Sequence, residues 1–241
     1  MKKKSLQTIV MIPTYNEAGN IKKLIQQILK INNSIGCLIV DDNSPDGTAD
    51  IVKQLQKKYP QKIHLIVRKN QRGRASAGIK GHKQAIKLKP QYIVEMDADF
   101  SHNPQYIKTF LKEIKTCDVV LGSRFVSGGQ DSKRSWFRTF ASILSGYVLR
   151  LILGLKLRDI GSGFKLYKRQ VLQSLLWDKF FSSGIAISME EIFRIVKKSY
   201  KVKEIPIIFF DRQAGYSKLR WKDFFEPLKV CFQLLFTLGR A

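Results

Sequence analysis

Three times in the first hundred residues, a short apolar run gives way to a polar loop and then to a segment with helical spacing. The first loop follows Pro13, and we expect the helix after it to have Asn20 as its N-cap. The second loop follows Val40, and the third, the glycine- and arginine-containing segment 72–78, is expected to open a helix over residues 79–88. Repeated strand–loop–helix units predict an α/β fold, with a mostly parallel sheet and helices on both faces. The apolar positions expected to face the core from the first two helices are Ile21, Leu24, Ile25, Ile28, Leu29, Ala49, Ile51, Val52 and Leu55.

A pair of carboxylates, Asp97 and Asp99, follows another apolar run that we interpret as a buried strand. Two carboxylates two residues apart at a strand end can direct oxygens at one point, which suits a hard cation such as Mg²⁺ that completes its shell with substrate phosphates. The same pattern is also typical of a solvated acidic turn. Because ligands of parallel sheets bind beyond the carboxyl ends of the strands, we expect this pair and the three polar loops to converge on one site. The helix N-termini and the glycine loop there suit phosphate.

Several blocks of the chain carry a resemblance to a known family: residues 13–17, 41–48, 96–102, 122–124, 158–168 and 211–218. In this order they resemble glycosyltransferase family 2, and within it the dolichol-phosphate (polyprenol-phosphate) mannose synthases. The resemblance spans roughly residues 8 to 219, and one mild departure is Ser101, where some members have glutamine. It implies a GT-A, Rossmann-like nucleotide-sugar-binding domain over residues 1–219, followed by an amphipathic C-terminal segment over 220–241.

The resemblance also implies roles for particular residues. Ser162 is open between a turn residue and a contact with the lipid phosphate, and Pro13 and Val40 could equally be strand-end structure. The residues that would cradle the base and ribose are Pro13, Tyr15, Glu17, Val40 and Asp42. Those that would hold Mg²⁺ or Mn²⁺ and the diphosphate are Asp97, the backbone of Ala98, and Asp99. Those that would face phosphates of donor or acceptor are Arg124, Arg212 and Lys218.

The activity implied by the resemblance is inverting transfer of mannose from GDP-mannose to a polyprenol (dolichyl) monophosphate. A phosphate monoester has its second pKa near 6, so this acceptor is largely dianionic at neutral pH and needs no general base. Two alternatives stay open. One is transfer of glucose or an aminosugar from a UDP donor, because the residues named above do not separate guanine from uracil. The other is a non-catalytic basic protein that binds anionic lipid or nucleic acid.

The formal net charge of +24, from 43 Lys and Arg against 19 Asp and Glu, must attract anions. The basic residues are spread widely, and no recognised nucleic-acid motif is present, so nucleic acid is not an expected partner. We expect a nucleotide sugar, a polyprenol phosphate and an anionic membrane surface as partners, with a membrane protein as a further candidate.

Large apolar residues dominate the segment 134–156, but its uncharged stretch, 139–149, is shorter than the ~20 residues that a membrane span needs. This composition favours a helix or helical hairpin lying in the membrane interface, with a core helix as the alternative. The apolar tail within 220–241 is also short. We therefore expect a peripheral protein on the cytoplasmic face of a membrane.

The remaining titratable residues have mostly structural interpretations. The cysteines are far apart in apolar contexts and are expected to be buried thiols. His64 lies in a strand-like run, and the pair Glu190 and Glu191 opens a helix, where acidic residues are favourable. His102, next to the carboxylate pair, is open between a structural and a functional role. The cysteines are Cys37, Cys117 and Cys231.

Overall fold

The computed structural model describes residues 6–132, 136–210 and 225–240, apart from the side chains of 136–144. The strands are β1 (Thr8–Thr14), β2 (Ile35–Asp41), β3 (Ile63–Val67), β4 (Tyr92–Glu95), β5 (Val119–Ser123), β6 (Gln130–Ser132), β7 (Lys165–Lys168), β8 (Val202–Pro206) and β9 (Ile208–Phe210). The α-helices are α1 (Ala18–Leu29), α2 (Thr48–Lys58), α3 (Arg74–Lys87), α4 (Tyr106–Glu113), α5 (Trp136–Leu153), α6 (Arg169–Ser174), α7 (Ile187–Lys197) and α8 (Glu226–Leu238).

A seven-stranded sheet in the order β3-β2-β1-β4-β7-β5-β8 forms the centre of the fold. Its strands are parallel except β7, which runs antiparallel to both of its neighbours, β4 and β5. The short strands β6 and β9 pair separately. The carboxyl ends of β1, β2, β4 and β5 therefore lie along one edge, and the prediction of a mostly parallel sheet is confirmed.

The two faces of the sheet are covered by different helices, because successive side chains of a strand point in opposite directions. Val10 and Ile12 of β1 pack with residues of α1, α2 and α4. Ile9 and Met11 pack on the other face with residues of α3 and α6. Helices on both faces are thus confirmed.

The helices α5, α7 and α8 form a third cluster beside β5. Leu153 of α5, Phe193 of α7 and Leu234 of α8 are buried there together with Leu121 of β5. Among the described residues, no helix combines the length and the apolar character needed to cross a bilayer. The division of the chain at residues 219 and 220 stays a prediction.

Two predicted helix starts are wrong. Helix α1 begins at Ala18, with Glu17 rather than Asn20 at its N-cap position. The side-chain amide of Asn20 (Nδ2) donates a hydrogen bond to Glu17 Oε2 over 2.9 Å. Helix α3 begins at Arg74, because the positive φ of 142° at Gly73 ends the loop five residues earlier than expected. Residues 74–78 are consequently the first turn of a helix. Of the predicted inward-facing residues, all are buried except Leu29 and Ile51, which are half-buried.

Candidate active site

The loops after β1 and β2 are joined by hydrogen bonds from backbone to side chain. The Asn16 amide donates to Ser44 Oγ over 3.0 Å, and the Glu17 amide donates to Thr48 Oγ1 over 2.9 Å. Asp41 accepts hydrogen bonds from Thr14 Oγ1 (2.8 Å) and from the Ser44 amide (2.8 Å). These contacts fix the two loops that contain the predicted nucleotide-binding residues.

Asp42 connects this pair of loops to the start of α3. Its carboxylate is buried against the guanidinium of Arg68, with Nε 2.6 Å from Oδ1, and it accepts the Gly73 amide over 3.0 Å. Arg72 lies over the ring of Tyr15, with its guanidinium carbon 4.7 Å from the ring centroid. The electron-rich face of an aromatic ring attracts a cation, so this contact holds the Tyr15 ring in place. Tyr15 is therefore held by Arg72 of the predicted third loop, and Asp42 is held by that loop and by Arg68, which the sequence did not point to.

Asp97 and Asp99 follow β4 and differ in exposure. The side chain of Asp97 is 36% exposed, whereas Asp99 is buried. Asp99 Oδ1 accepts hydrogen bonds from both the amide and the hydroxyl of Ser101, at 3.1 and 2.6 Å. Ser101 therefore orients the carboxylate that precedes it.

The pair fits a hard divalent cation by its chemistry, because both residues offer carboxylate oxygens. Across the described parts of the chain, no third His, Cys, Asp or Glu completes a three-ligand group with them.

Arg74, at the first position of α3, joins this pair to a buried charge cluster. Its Nη2 lies 3.1 Å from Asp97 Oδ1, and its Nη1 lies 3.1 Å from Glu95 Oε1. Behind Glu95, the fully buried Lys165 Nζ lies 3.3 Å from Glu95 Oε2 and 2.6 Å from Glu191 Oε2. Although burial favours a protonated carboxyl, the charges of Lys165 and Arg74 hold the pKa of Glu95 well below its usual value.

His82 completes the buried cluster. Its Nε2 lies 3.3 Å from Glu191 Oε1 and 3.5 Å from Glu95 Oε2, which are ion-pair distances without hydrogen-bond geometry. Burial opposes the charged imidazolium, but the contacts with Glu191 and Glu95 outweigh it and raise the pKa of His82 to about 9. Atoms of these three side chains lie within 4.8 Å of one another, a spacing that could hold a metal ion. Lys165 already supplies a cation to both carboxylates, so we interpret the cluster as an internal ion network.

Arg124 follows β5 and is held by Asp159. Its Nε and Nη2 donate to the two carboxylate oxygens of Asp159, each over 2.8 Å, and Nη1 lies 3.8 Å from Asp131 Oδ2. The guanidinium also lies over the ring of Phe209, 5.3 Å from its centroid. The Arg124 side chain is only 12% exposed, and these contacts fix both its position and its orientation.

His102 is buried beside Asp97. Its Nδ1 accepts a hydrogen bond from the Asp97 amide over 3.2 Å, and its ring stacks on Phe164 with centroids 5.0 Å apart. Burial lowers the pKa of His102, despite the nearby charges of Asp97 and Asp99. A neutral imidazole that accepts at Nδ1 agrees with this contact, and it positions the backbone of the carboxylate pair.

The other predicted site residues occupy varied places. Pro13 is half-buried and Val40 is fully buried. Ala98 is buried between the two carboxylates. Ser162 is also buried, and its hydroxyl accepts the Phe164 amide over 3.2 Å, as the turn interpretation expects. Arg212 and Lys218 lie outside the described residues.

The sequence interpretation did not identify the side-chain contacts that support this site. Arg68, Arg74 and Asp159 each hold a predicted site residue through a side-chain contact. A signal was present in β4, where Glu95 interrupts an apolar run and so requires a buried partner. The cysteines are buried and free, as predicted, and Glu190 has a structural role in accepting hydrogen bonds from the backbone amides of Phe181 and Ser182.

Solved structures with low sequence identity share this fold. Mannosyl-3-phosphoglycerate synthase from Rubrobacter xylanophilus superposes with a TM-score of 0.69 at 16% identity, over 98% of this chain and 76% of that one. The mannosyltransferase PcManGT from Pyrobaculum calidifontis, solved with GDP-Man and Mn²⁺, gives a TM-score of 0.63 at 17% identity, over 98% of this chain and 65% of that one. The GT-A fold is thus confirmed.

Sequence relatives are closer. A polyprenol monophosphomannose synthase from Mycolicibacterium smegmatis is 30% identical over 223 residues, which are 92% of this chain and 84% of that protein. An undecaprenyl-phosphate mannosyltransferase from Micrococcus luteus is 31% identical over 214 residues, 89% and 88% of the two proteins. The family model for glycosyl transferase family 2 matches residues 9–176. The chain therefore belongs to glycosyl transferase family 2 and is a glycosyltransferase.

Proposed function

We propose that this chain transfers mannose from GDP-mannose to the phosphate of a polyprenol monophosphate. The observation that carries the proposal is the pair Asp97 and Asp99 at the end of β4, connected through Arg74 to the loops that would hold a nucleotide. The sugar and the acceptor class are supported by the names of the two sequence relatives.

The donor would lie across the carboxyl ends of β1, β2 and β4. Its base and ribose would be cradled by Pro13, Tyr15, Glu17, Val40 and Asp42. Asp97 and Asp99 would hold Mg²⁺ or Mn²⁺ near its diphosphate, with Mn²⁺ favoured by its presence in PcManGT. When bound, the cation neutralises the charge that develops on the leaving diphosphate.

The acceptor phosphate would approach from the side of Arg124. Asp159 holds the guanidinium in one orientation, so its charge can position a dianionic phosphate without a proton transfer. Ser162, Arg212 and Lys218 are the other proposed contacts. The phosphate oxygen would attack the anomeric carbon directly and form a bond there as the bond to the diphosphate breaks.

Direct attack on an α-linked donor inverts the anomeric centre, so the product should be β-linked. NMR of the purified lipid product determines its configuration. An α-linked product, or a covalent glycosyl-enzyme trapped with a slow donor analogue, would contradict the single-displacement mechanism.

A membrane surface is the place where a lipid acceptor is available. Apolar side chains are exposed on α5 (Tyr147 and Leu151) and on α8 (Phe232 and Phe236), and these two helices pack against each other. Large exposed apolar groups with basic neighbours suit the interface of an anionic membrane. We propose peripheral binding to a cytoplasmic membrane face through these helices, with a membrane protein as a further possible partner.

The carboxylate pair provides the test of the proposed active site. Asp97→Asn and Asp99→Asn should each lower the rate of mannose transfer by about 10²–10³-fold, the usual value of a single electrostatic group at a reacting centre. The matched control is Asp50→Asn on α2, whose side chain is 73% exposed and pairs with Lys53 of the same helix. Circular dichroism checks the fold of each variant. Full transfer by either site variant in excess EDTA would refute the metal role.

A further inference from the structure

Arg74 has two carboxylate partners with very different surroundings. On one side, Glu95 is fully buried and is held in place by Lys165 and His82. On the other side, Asp97 is partly exposed in the proposed site. The arginine side chain itself is 26% exposed. The guanidinium therefore has one edge fixed to the interior of the protein and the other edge in the donor site.

The loop at Gly163 encloses the same guanidinium. A Cβ atom at this position would lie 3.1 Å from Arg74 Nη2 and 3.5 Å from Asp97 Oδ2. The glycine thus leaves room for the contact between Arg74 and Asp97, and any larger residue would press on it.

A positive charge at this point has opposite effects on two ligands. It repels a divalent cation approaching Asp97, because it already neutralises that carboxylate. It attracts a diphosphate, which carries negative charge to the same place and which an arginine fork can contact through two parallel hydrogen bonds. The Arg74 guanidinium and the divalent cation can therefore occupy the site together only when the negative charge of the phosphates is also present.

Resting on the proposed function, we propose that Arg74 couples divalent-metal binding to donor binding. Without ligands, its guanidinium pairs with Asp97. When a divalent cation binds Asp97, the exposed N–H groups of Arg74 donate their hydrogen bonds to the donor diphosphate instead. Glu95 and the ion network behind it keep the guanidinium within reach of both positions. Arg74 is a positioning residue in this account, and its effect is thermodynamic.

Coupling of this kind is measured by binding alone. We would titrate Mn²⁺ into the full chain with GDP, with UDP and without nucleotide, and follow free Mn²⁺ by electron paramagnetic resonance. In the wild type, one of the two nucleotides should raise the affinity for Mn²⁺ by roughly 10- to 100-fold, within the usual range of coupling between sites. In Arg74→Gln, Mn²⁺ should bind more tightly than in the wild type without nucleotide, and the nucleotide should then add at most about threefold.

Two further variants separate positioning from loss of structure. Lys83→Gln removes one positive charge from the exposed side of the same helix and should leave the coupling unchanged. Arg74→Lys keeps the charge but loses the fork, so it should keep the weak metal binding without nucleotide and lose most of the gain from nucleotide. Thermal unfolding of each variant shows whether it is folded at the temperature of the titration.

Each outcome has a distinct meaning. If Arg74→Gln retains the wild-type coupling, the inference is wrong and the proposed function is unaffected. If the wild type binds no Mn²⁺ with either nucleotide, the metal site of the proposed function is wrong, and the inference fails with it.

Discussion

Lys165 should be one of the most costly residues in the protein to replace. Its Nζ is fully buried between Glu95 and Glu191, at 3.3 and 2.6 Å. Removing one partner from a buried ion pair leaves uncompensated charge in the interior and typically costs about 3–5 kcal/mol. We therefore expect Lys165→Met to lower the free energy of unfolding by about 3–5 kcal/mol and, at about 2–4 °C per kcal/mol for a chain of this size, to lower Tm by roughly 10 °C.

The same strand offers a matched control. Lys168 also lies on β7, but its ion pair with Asp118 (3.0 Å) is partly solvent-exposed, with the two side chains 31% and 26% exposed. Lys168→Met should cost only about 0–1 kcal/mol, because water screens such a pair. Urea unfolding at neutral pH measures both variants. Equal losses for the two substitutions would refute the claim that Lys165 neutralises buried carboxylates.

Three further predictions concern the ion network, the site and the membrane face. Because the folded-state pKa of His82 is raised from 6.5 to about 9, its stabilisation is complete below pH 6.5 and lost as the pH rises through 9. Urea unfolding should show a loss of about 3 kcal/mol across that window, and His82→Gln should flatten it; an unchanged profile would contradict the charged form. Gly163→Ala should press on Arg74 Nη2 and weaken nucleotide binding measured by calorimetry while Tm changes little, whereas unchanged binding would show that the contact is soft. Replacing Phe232 and Phe236 by Ser should reduce sedimentation with anionic vesicles at unchanged circular dichroism, and undiminished sedimentation would place the membrane face elsewhere.

Much of the fold could be predicted from the sequence because it follows from local periodicity. Each apolar run before a polar loop is a strand of the sheet, and the carboxylate pair lies at a strand end as expected. The helix starts were less predictable. Asn20 has the chemistry of an N-cap, but the helix begins two residues earlier, at Ala18.

The supporting contacts of the site could not be read from the sequence, because they depend on tertiary structure. Arg124 and Asp159 are 35 residues apart and meet only because β5 and the loop before β7 end side by side. Lys165 reaches Glu95 because β7 inserts antiparallel beside β4, an exception that no local pattern marked. The roles assigned to individual site residues by family resemblance stay predictions.

Transfer of radiolabelled sugar into an organic-extractable lipid tests the central claim most directly. The full chain would be incubated with Mn²⁺, a polyprenol monophosphate and a panel of labelled GDP- and UDP-sugars, with Asp97→Asn as the inactive control. We predict that label from GDP-mannose enters the lipid fraction, that EDTA abolishes the transfer, and that the variant shows at most about one hundredth of it. Preferential transfer from a UDP-sugar would contradict the proposed donor, and transfer from none of them would contradict the proposed acceptor.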